Sequence, residues 1–496
     1  MSDTSAQQER QLTSDAPVDP DNVKIGYIGG GSRLWARNLA KELALDETLS
    51  GEVVLYDTDY ESAQRNEEFG NWVQDREDAV SDWTYRAVES REEALTDADF
   101  VILSTQYPPT ESMKYDLEIP PEYGIDQAVA ITSGPGGIMR AMRTIPVYRD
   151  IAASIREHCP DAWVLNYTNP VTYVTRTLYE EYPDINALGL CHEVFHAQEL
   201  LADIVSDQFD VPKPSRDDIE VNVKGVNHFT WVDEARWNGH ELLPVVERYL
   251  EESGAVREYS RAELEDADHS MHPGFQDNNQ VTYELFKRFG VLPAAGDRHL
   301  VEFATWFLQG DMPEALNRWG VLRTPSSYRL DRWDDEADTV RQFMDGDKEF
   351  DLSETGEVIT DLMEALSGLS DMRTHVNLPN EGQMRDVPED AVVETNAVVT
   401  QNNVRPIVSG TLPRPVRTQV TQQIDNQETI IEAAFDGYDV DYAFQGFLND
   451  PQVKTLQTET AADLFAEMCN ALQPLLDDWQ LADSETLAES DKFELE

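Results

Sequence analysis

The chain has 496 residues, with 96 acidic against 38 basic side chains and a formal net charge of −58. A surface of that sign repels phosphates, which argues against a nucleic-acid partner, and no apolar run approaches the ~18 residues of a membrane span. With 40% apolar residues and ten tryptophans the chain is not a disordered acidic polymer; its carboxylates are expected to coat a folded, halophilic-type surface whose self-repulsion salt screens.

In chain order, residues 1–21 read as a disordered acidic tail, and their polar start lacks the apolar core of a secretory signal. The run "VKIGYIGG" then has strand length, and "GGGSRLWARNLAKELAL" follows with helical spacing at Leu34, Leu39 and Leu43. "GEVVLYDTD" is a second buried strand, ending in an acid. "WTYRAV", "DFVILST", "AWVLNYTNP" and "NALGLCHEV" continue the strands, with helical text between them, including "SGPGGIMRAMRTIP". This alternation predicts an α/β fold: a Rossmann-type doubly wound parallel sheet over residues 22–200.

The second half, residues 201–480, is less regular. "IEVNVKGVNHFTWVDEARWNG" alternates as antiparallel strands do, and residues 240–268 read as a charged helical insertion. "VTYELFKRFG" and "EFATWFLQ" read as helices around the loop "VLPAAGDRH", and "AVVETNAVVTQNNVRPIVSGTLP" as extended hairpin. This half is expected to be α+β and to carry the substrate and metal site and oligomer contacts. Residues 481–496 read as a second acidic tail. Three cysteines, Cys159, Cys191 and Cys469, build no disulfide framework, which suits a reducing cytoplasm.

Five groups could carry chemistry. Gly29, Gly30, Gly31 and Ser32 sit where a strand meets a helix N-terminus, where small residues and free amides favour a pyrophosphate. A plain tight turn is the alternative, because Leu34 breaks the full fingerprint. Asp57 ends the next strand, where an acid can bind ribose hydroxyls, so NAD is favoured over NADP. The second group, "ITSGPGG" at 131–137, suits an anion loop or a helix-entry turn. In the third, Asn166 and Asn169 follow a strand end, and either could hold a sugar hydroxyl or form the turn before Pro170.

The fourth group is "CHEVFH". Cys191 and His192 close a strand and His196 lies a helical turn on. A Cys-x4-His alone is a weak metal signal, and a core cysteine is the plain alternative. His228 in "GVNHFTW" offers a distant second ligand, which with Cys191 leaves open positions for substrate, as in a catalytic site. His196 is then ordinary helix packing. The fifth is "GDRHLVEF": Asp297 suits a base or a helix cap, and Arg298 a bidentate anion clamp.

Together, GGGS, "GPGG", "RTIP", "NYTNPVTYVT", "GLCHEV", "GVNHFTW" and "VETNAVV" with "VRPIVSGTLP" resemble glycoside hydrolase family 4 over roughly residues 22–475. The resemblance implies a lactate/malate dehydrogenase-like fold, and hydrolysis through NAD and Mn2+ or another divalent metal, the known exception to two-carboxylate glycosidases. It implies C3 oxidation, loss of the C2 proton, elimination of the aglycone, and return of the hydride. Cys191 and His228 are then the metal ligands and Asn169 a substrate contact. "CHEV" and "GDRHLVEF" look like the family's α-galacturonidase group, acting on pectic fragments, with Arg298 on the uronate. His192 is the implied acid. Asp297 and Tyr283 both qualify as base, Asp297 the more so. Homodimers or homotetramers are implied. The alternatives are an α-glucosidase or α-galactosidase of the same family, an NAD-dependent 2-hydroxy acid dehydrogenase, and a non-enzymatic NAD sensor.

Overall fold

The computed structural model describes residues 12–14, 16–106, 110–265, 276–308, 314–323, 325–481 and 484–488. Its strands are β1 (Leu12–Thr13), β2 (Val23–Ile28), β3 (Gly51–Tyr56), β4 (Trp83–Val88), β5 (Phe100–Leu103), β6 (Trp163–Asn166) and β7 (Asn186–Gly189). The second half adds β8 (Glu220–Val226), β9 (Phe229–Trp237), β10 (His240–Glu241), β11 (Leu292–Pro293), β12 (Met372–Pro379), β13 (Val392–Thr400) and β14 (Asn403–Pro406).

Ten strands form one sheet, in the order β1-β14-β13-β12-β7-β6-β5-β2-β3-β4. The run from β7 to β4 is parallel. Its strands are short apolar stretches because helices cover both faces: Ile25, Val53, Val54, Phe100, Val101, Val164 and Leu165 are all fully buried. The order is that of the doubly wound dinucleotide fold, whose direction of winding switches between β2 and β5. Ligands collect in the crevice beyond the strand C-termini at such a point. The turn after β2, the Asn169 loop after β6 and Cys191 after β7 all lie at that end of the sheet.

Beyond β7 the sheet turns antiparallel. The hairpin text near residue 400 is β13 and β14, and with β12 it extends the parallel sheet built by the first 200 residues. The join is a single pair, Asn377 with Gly189. Asn377 Nδ2 also donates to the Gly189 carbonyl at 3.2 Å. A smaller four-stranded sheet holds β8 to β11. In the charged stretch at 240–268, β10 is followed by helices Leu243–Glu252 and Arg261–Glu265, and residues 266–268 lie outside the described residues.

Parts of both stretches expected as tails are packed against the fold. Leu12 and Thr13 pair with Val404 and Asn403, and Ser14 Oγ donates to the Asp161 carbonyl at 3.0 Å. A short apolar segment laid on an open strand edge gains backbone partners that composition does not reveal. At the other end, Leu481 and Leu487 are buried against the helical cluster around Phe447 and Phe465. Residues 1–11, 15, 482–483 and 489–496 of these stretches lie outside the described residues. Among the described residues no helix is long and apolar enough to cross a membrane.

Candidate active site

The glycine turn after β2 is built for close approach. Gly29 has φ +92°, and a Cβ there would overlap the Ser104 carbonyl. A Cβ on Gly30 would lie 2.8 Å from Leu55 Cβ. Asn66, which sequence reasoning did not single out, pins the turn by donating from Nδ2 to the Gly30 and Ser32 carbonyls at 2.7 and 2.8 Å. Ser32 Oγ accepts from Trp35 N at 3.2 Å at the head of the helix Trp35–Leu45. Asp57 follows β3, and its Oδ2 accepts from Gly31 N at 2.9 Å. Burial raises the Asp57 pKa against the pull of these backbone donors.

The second glycine-rich turn differs. The amides of Gly134 and Gly136 already donate to Asp450 Oδ2 and Gln127 Oε1, each at 3.0 Å. This is a helix entry closed by its own side chains, with those donors spent. Thr132 just before it has another use: its hydroxyl meets His228 Nδ1 at 2.7 Å.

His228 sits in the two-residue turn between β8 and β9, at φ 64°. A positive φ is uncommon for a histidine and marks a position held by its surroundings. With Nδ1 engaged by Thr132, Nε2 is the nitrogen left to face a ligand. Burial pushes its pKa down to about 4 despite nearby Glu193, so the ring is neutral and able to bind a metal. The neighbouring Asn227 lowers the Cys191 pKa against the effect of burial and donates from Nδ2 to Glu394 Oε2 at 3.3 Å. Asn227, next to His228 in the chain, is thus also a neighbour of Cys191 and Glu394. Burial, then the Glu394 and Glu193 carboxylates, raise the Cys191 pKa. Burial lifts Glu394 to about 8.

Glu193, passed over in the sequence as a marker only, is central. It is buried, its Oε2 accepts from Gly296 N at 2.5 Å, and its Oε1 lies 3.6 Å from His299 Nε2 and 3.8 Å from His192 Nε2. His299, also unassigned, stacks on His228. His192 is half exposed, with its ring 6.2 Å from Trp35 and 5.0 Å from His196. The potential ligand atoms of His192, Glu193 and His196 lie within 4.8 Å of one another, so His196 is an exposed member of this group.

Three expected roles change. Asp297 is buried at the start of the helix Asp297–Phe303, and its carboxylate accepts from Val281 N, Thr282 N and Thr282 Oγ1 at 3.1, 2.9 and 3.0 Å. It caps the helix Gln280–Phe289 rather than serving as a free base. Burial and neighbouring Asp277 raise its pKa well above the carboxylate range. Tyr283 packs in the apolar cluster of Leu201, Val205 and Leu292, with its ring 6.4 Å from Tyr249, and burial raises its pKa. Asn166 forms its own turn, its Oδ1 accepting from Thr168 N at 3.0 Å. Asn169 differs: its Oδ1 is buried and has no hydrogen-bond partner among the described residues. Burial lowers the Arg298 pKa, against the pull of the Glu193, Glu302 and Asp277 carboxylates.

These parts define a doubly wound α/β protein whose ligand crevice brings a cysteine and a histidine together beyond a glycine-rich turn. The chain belongs to family 4 of the glycosyl hydrolases and is a glycosidase: the family profile matches residues 24–207 and that of its C-terminal domain residues 223–453. It is 44% identical over 463 residues to an α-galacturonidase of Thermoanaerobacterium saccharolyticum, covering 93% of this chain and 98% of that one. The crystal structure of a Bacillus subtilis protein described as a candidate glucosidase superposes with a TM-score of 0.83 at 40% identity, covering 90% of this chain and all of that one. A 6-phospho-α-glucosidase from gut microorganisms, solved with NAD and Mn2+, shares the fold at a TM-score of 0.73 and 20% identity, over 92% of this chain and 99% of that one.

Proposed function

We propose that the protein is an α-galacturonidase that uses NAD and a divalent metal, most simply Mn2+. The observation that carries the reading is full-length similarity to an α-galacturonidase, and Arg298 is the cation we assign to the uronate. The residues fit both cofactors. The Gly29–Ser32 turn has no room for side chains and would hold the dinucleotide with Asp57. Cys191 and neutral His228 would hold the metal; the buried Oδ1 atoms of Asn169 and Asn227 have no partner among the described residues. When bound, the dinucleotide supplies hydride exchange at C3 and the metal supplies positive charge for the C2 and C3 oxygens.

The chain's own groups do the rest. Asn169 orients the sugar. His192, half exposed beside Trp35, holds the proton for the leaving glycosidic oxygen. Tyr283 is packed in the core, and Asp277 and Asp297 both accept backbone amides; of these two neighbouring carboxylates we assign the C2 proton to Asp277, the less buried one. That carboxylate is partly exposed, close to Glu193, and raised in pKa chiefly by burial.

Turnover of p-nitrophenyl α-galacturonide that requires NAD and Mn2+ and accumulates no NADH tests the reading. Cleavage of neutral α-glucosides or α-galactosides alone would replace it with the neutral-sugar alternative. Net NADH from a hydroxy acid would replace it with a dehydrogenase. The acidic surface supports a protein that works in high salt.

A further inference from the structure

The loop carrying Arg298 and His299 is tied to the Cys191–His192 turn by one side chain. Glu193 opens the helix Glu193–Phe209, directly after that turn, and its Oε2 takes the Gly296 amide 103 positions away. Asp277 Oδ2 takes the next amide, of Asp297, at 3.1 Å. Two carboxylates thus satisfy consecutive donors at the start of the helix Asp297–Phe303, where charge-assisted bonds are strongest. The approach leaves no room for a side chain: a Cβ on Gly296 would lie 2.9 Å from Asp277 Oδ2 and 3.1 Å from Glu193 Oε2. The other oxygen of Glu193 faces His299, whose ring lies on His228. Arg298 lies in the same loop, where burial lowers its pKa against the pull of the Glu193, Glu302 and Asp277 carboxylates.

We propose that Glu193 is a positioning residue that locks the Gly296–His299 loop onto the Cys191–His192 turn and thereby sets where Arg298 meets the substrate carboxylate. The second half of this statement rests on the galacturonide reading above. A glutamine at 193 keeps an acceptor for the Gly296 amide, whereas an alanine leaves that amide without its partner.

The test uses the full chain with NAD and Mn2+ supplied. Hydrogen exchange across residues 294–300 reads the lock, and kinetics on p-nitrophenyl α-galacturonide read its consequence. Glu193→Ala is expected to speed exchange in this loop and to raise KM about tenfold, a loss equivalent to about 1.4 kcal/mol. Glu193→Gln is expected to recover most of both. Arg298→Lys alone should raise KM, and adding Glu193→Ala to it should raise KM little further, because the two act through one contact. Unchanged loop exchange in Glu193→Ala, a glutamine variant as impaired as the alanine one, or multiplying KM effects would each overturn the proposal. Wild-type enzyme inactive on the galacturonide, with loop exchange still faster in Glu193→Ala, would uphold the lock and reject the galacturonide reading.

Discussion

The imidazole of His299 lies flat on that of His228, with ring centroids 3.9 Å apart and planes 20° from parallel. Burial lowers the pKa of both, so the stack joins two neutral rings and costs no charge repulsion. Thr132 holds one nitrogen of His228 and His299 braces its face, so the free nitrogen has a fixed direction. His299→Ala is expected to weaken Mn2+ binding about tenfold, within the range for lost support of a metal ligand. His299→Phe, which keeps a flat ring, should lose less. Mn2+ titration followed by electron paramagnetic resonance measures both, and Cys191→Ser or His228→Ala should abolish binding.

Gly29→Ala should damage fold and cofactor site together. The added methyl meets the Ser104 carbonyl at a φ of +92°, a conformation that L side chains rarely adopt. A loss of about 2 kcal/mol or more is expected in chemical denaturation. NAD affinity, read by fluorescence titration, should fall with it.

Glu357 links stability to pH. Burial, then the Glu42 carboxylate, raises its pKa from 4.5 to about 7. The folded state therefore binds more protons than the unfolded chain between these values, and stability falls as pH rises through that window. Glu357→Gln should be stabilising at pH 8, by about 1–3 kcal/mol, and near neutral at pH 4. Denaturation curves at the two pH values check the sign; a glutamine variant less stable at pH 8 would contradict it.

Salt should act on the molecule as a whole. With 96 acids against 38 bases, self-repulsion is strongest where the Debye length is long. The melting temperature should rise steeply from about 0.05 M to about 1 M KCl, over which the Debye length shrinks to about 3 Å. A melting temperature independent of KCl would show that the carboxylates are already compensated.

What could be read in advance was local. Gly29 to Ser32, Asp57 and Cys191 announce themselves by small or reactive residues at strand ends, and the parallel strands by their apolar runs. Glu193 could not be found this way, because its partner Gly296 lies in a distant loop and an ordinary glutamate looks like surface. Asp297 misleads for a physical reason: a carboxylate that caps a helix and one that takes a proton have the same local sequence. Tyr283 misleads similarly, since the helix Gln280–Phe289 buries the face on which it lies. Asn166 and Asn169 are three residues apart, yet one closes the turn and the other leaves its buried Oδ1 without a partner among the described residues. The addition of β12 to β7 pairs residues 188 positions apart, and nothing in either strand names the other.

That junction governs how the molecule can be cut. Asn377 with Gly189 is the one ladder pair between the parallel and antiparallel parts, and two residues on, His375 Nε2 meets the Cys191 carbonyl at 3.1 Å. An amino-terminal fragment ending near residue 207 would lose both contacts and leave β7 as a bare edge, an invitation to intermolecular pairing. The two stretches matched by the family profiles thus share one sheet and are not independent modules. Separately expressed pieces should recover a working centre only when mixed, by fragment complementation.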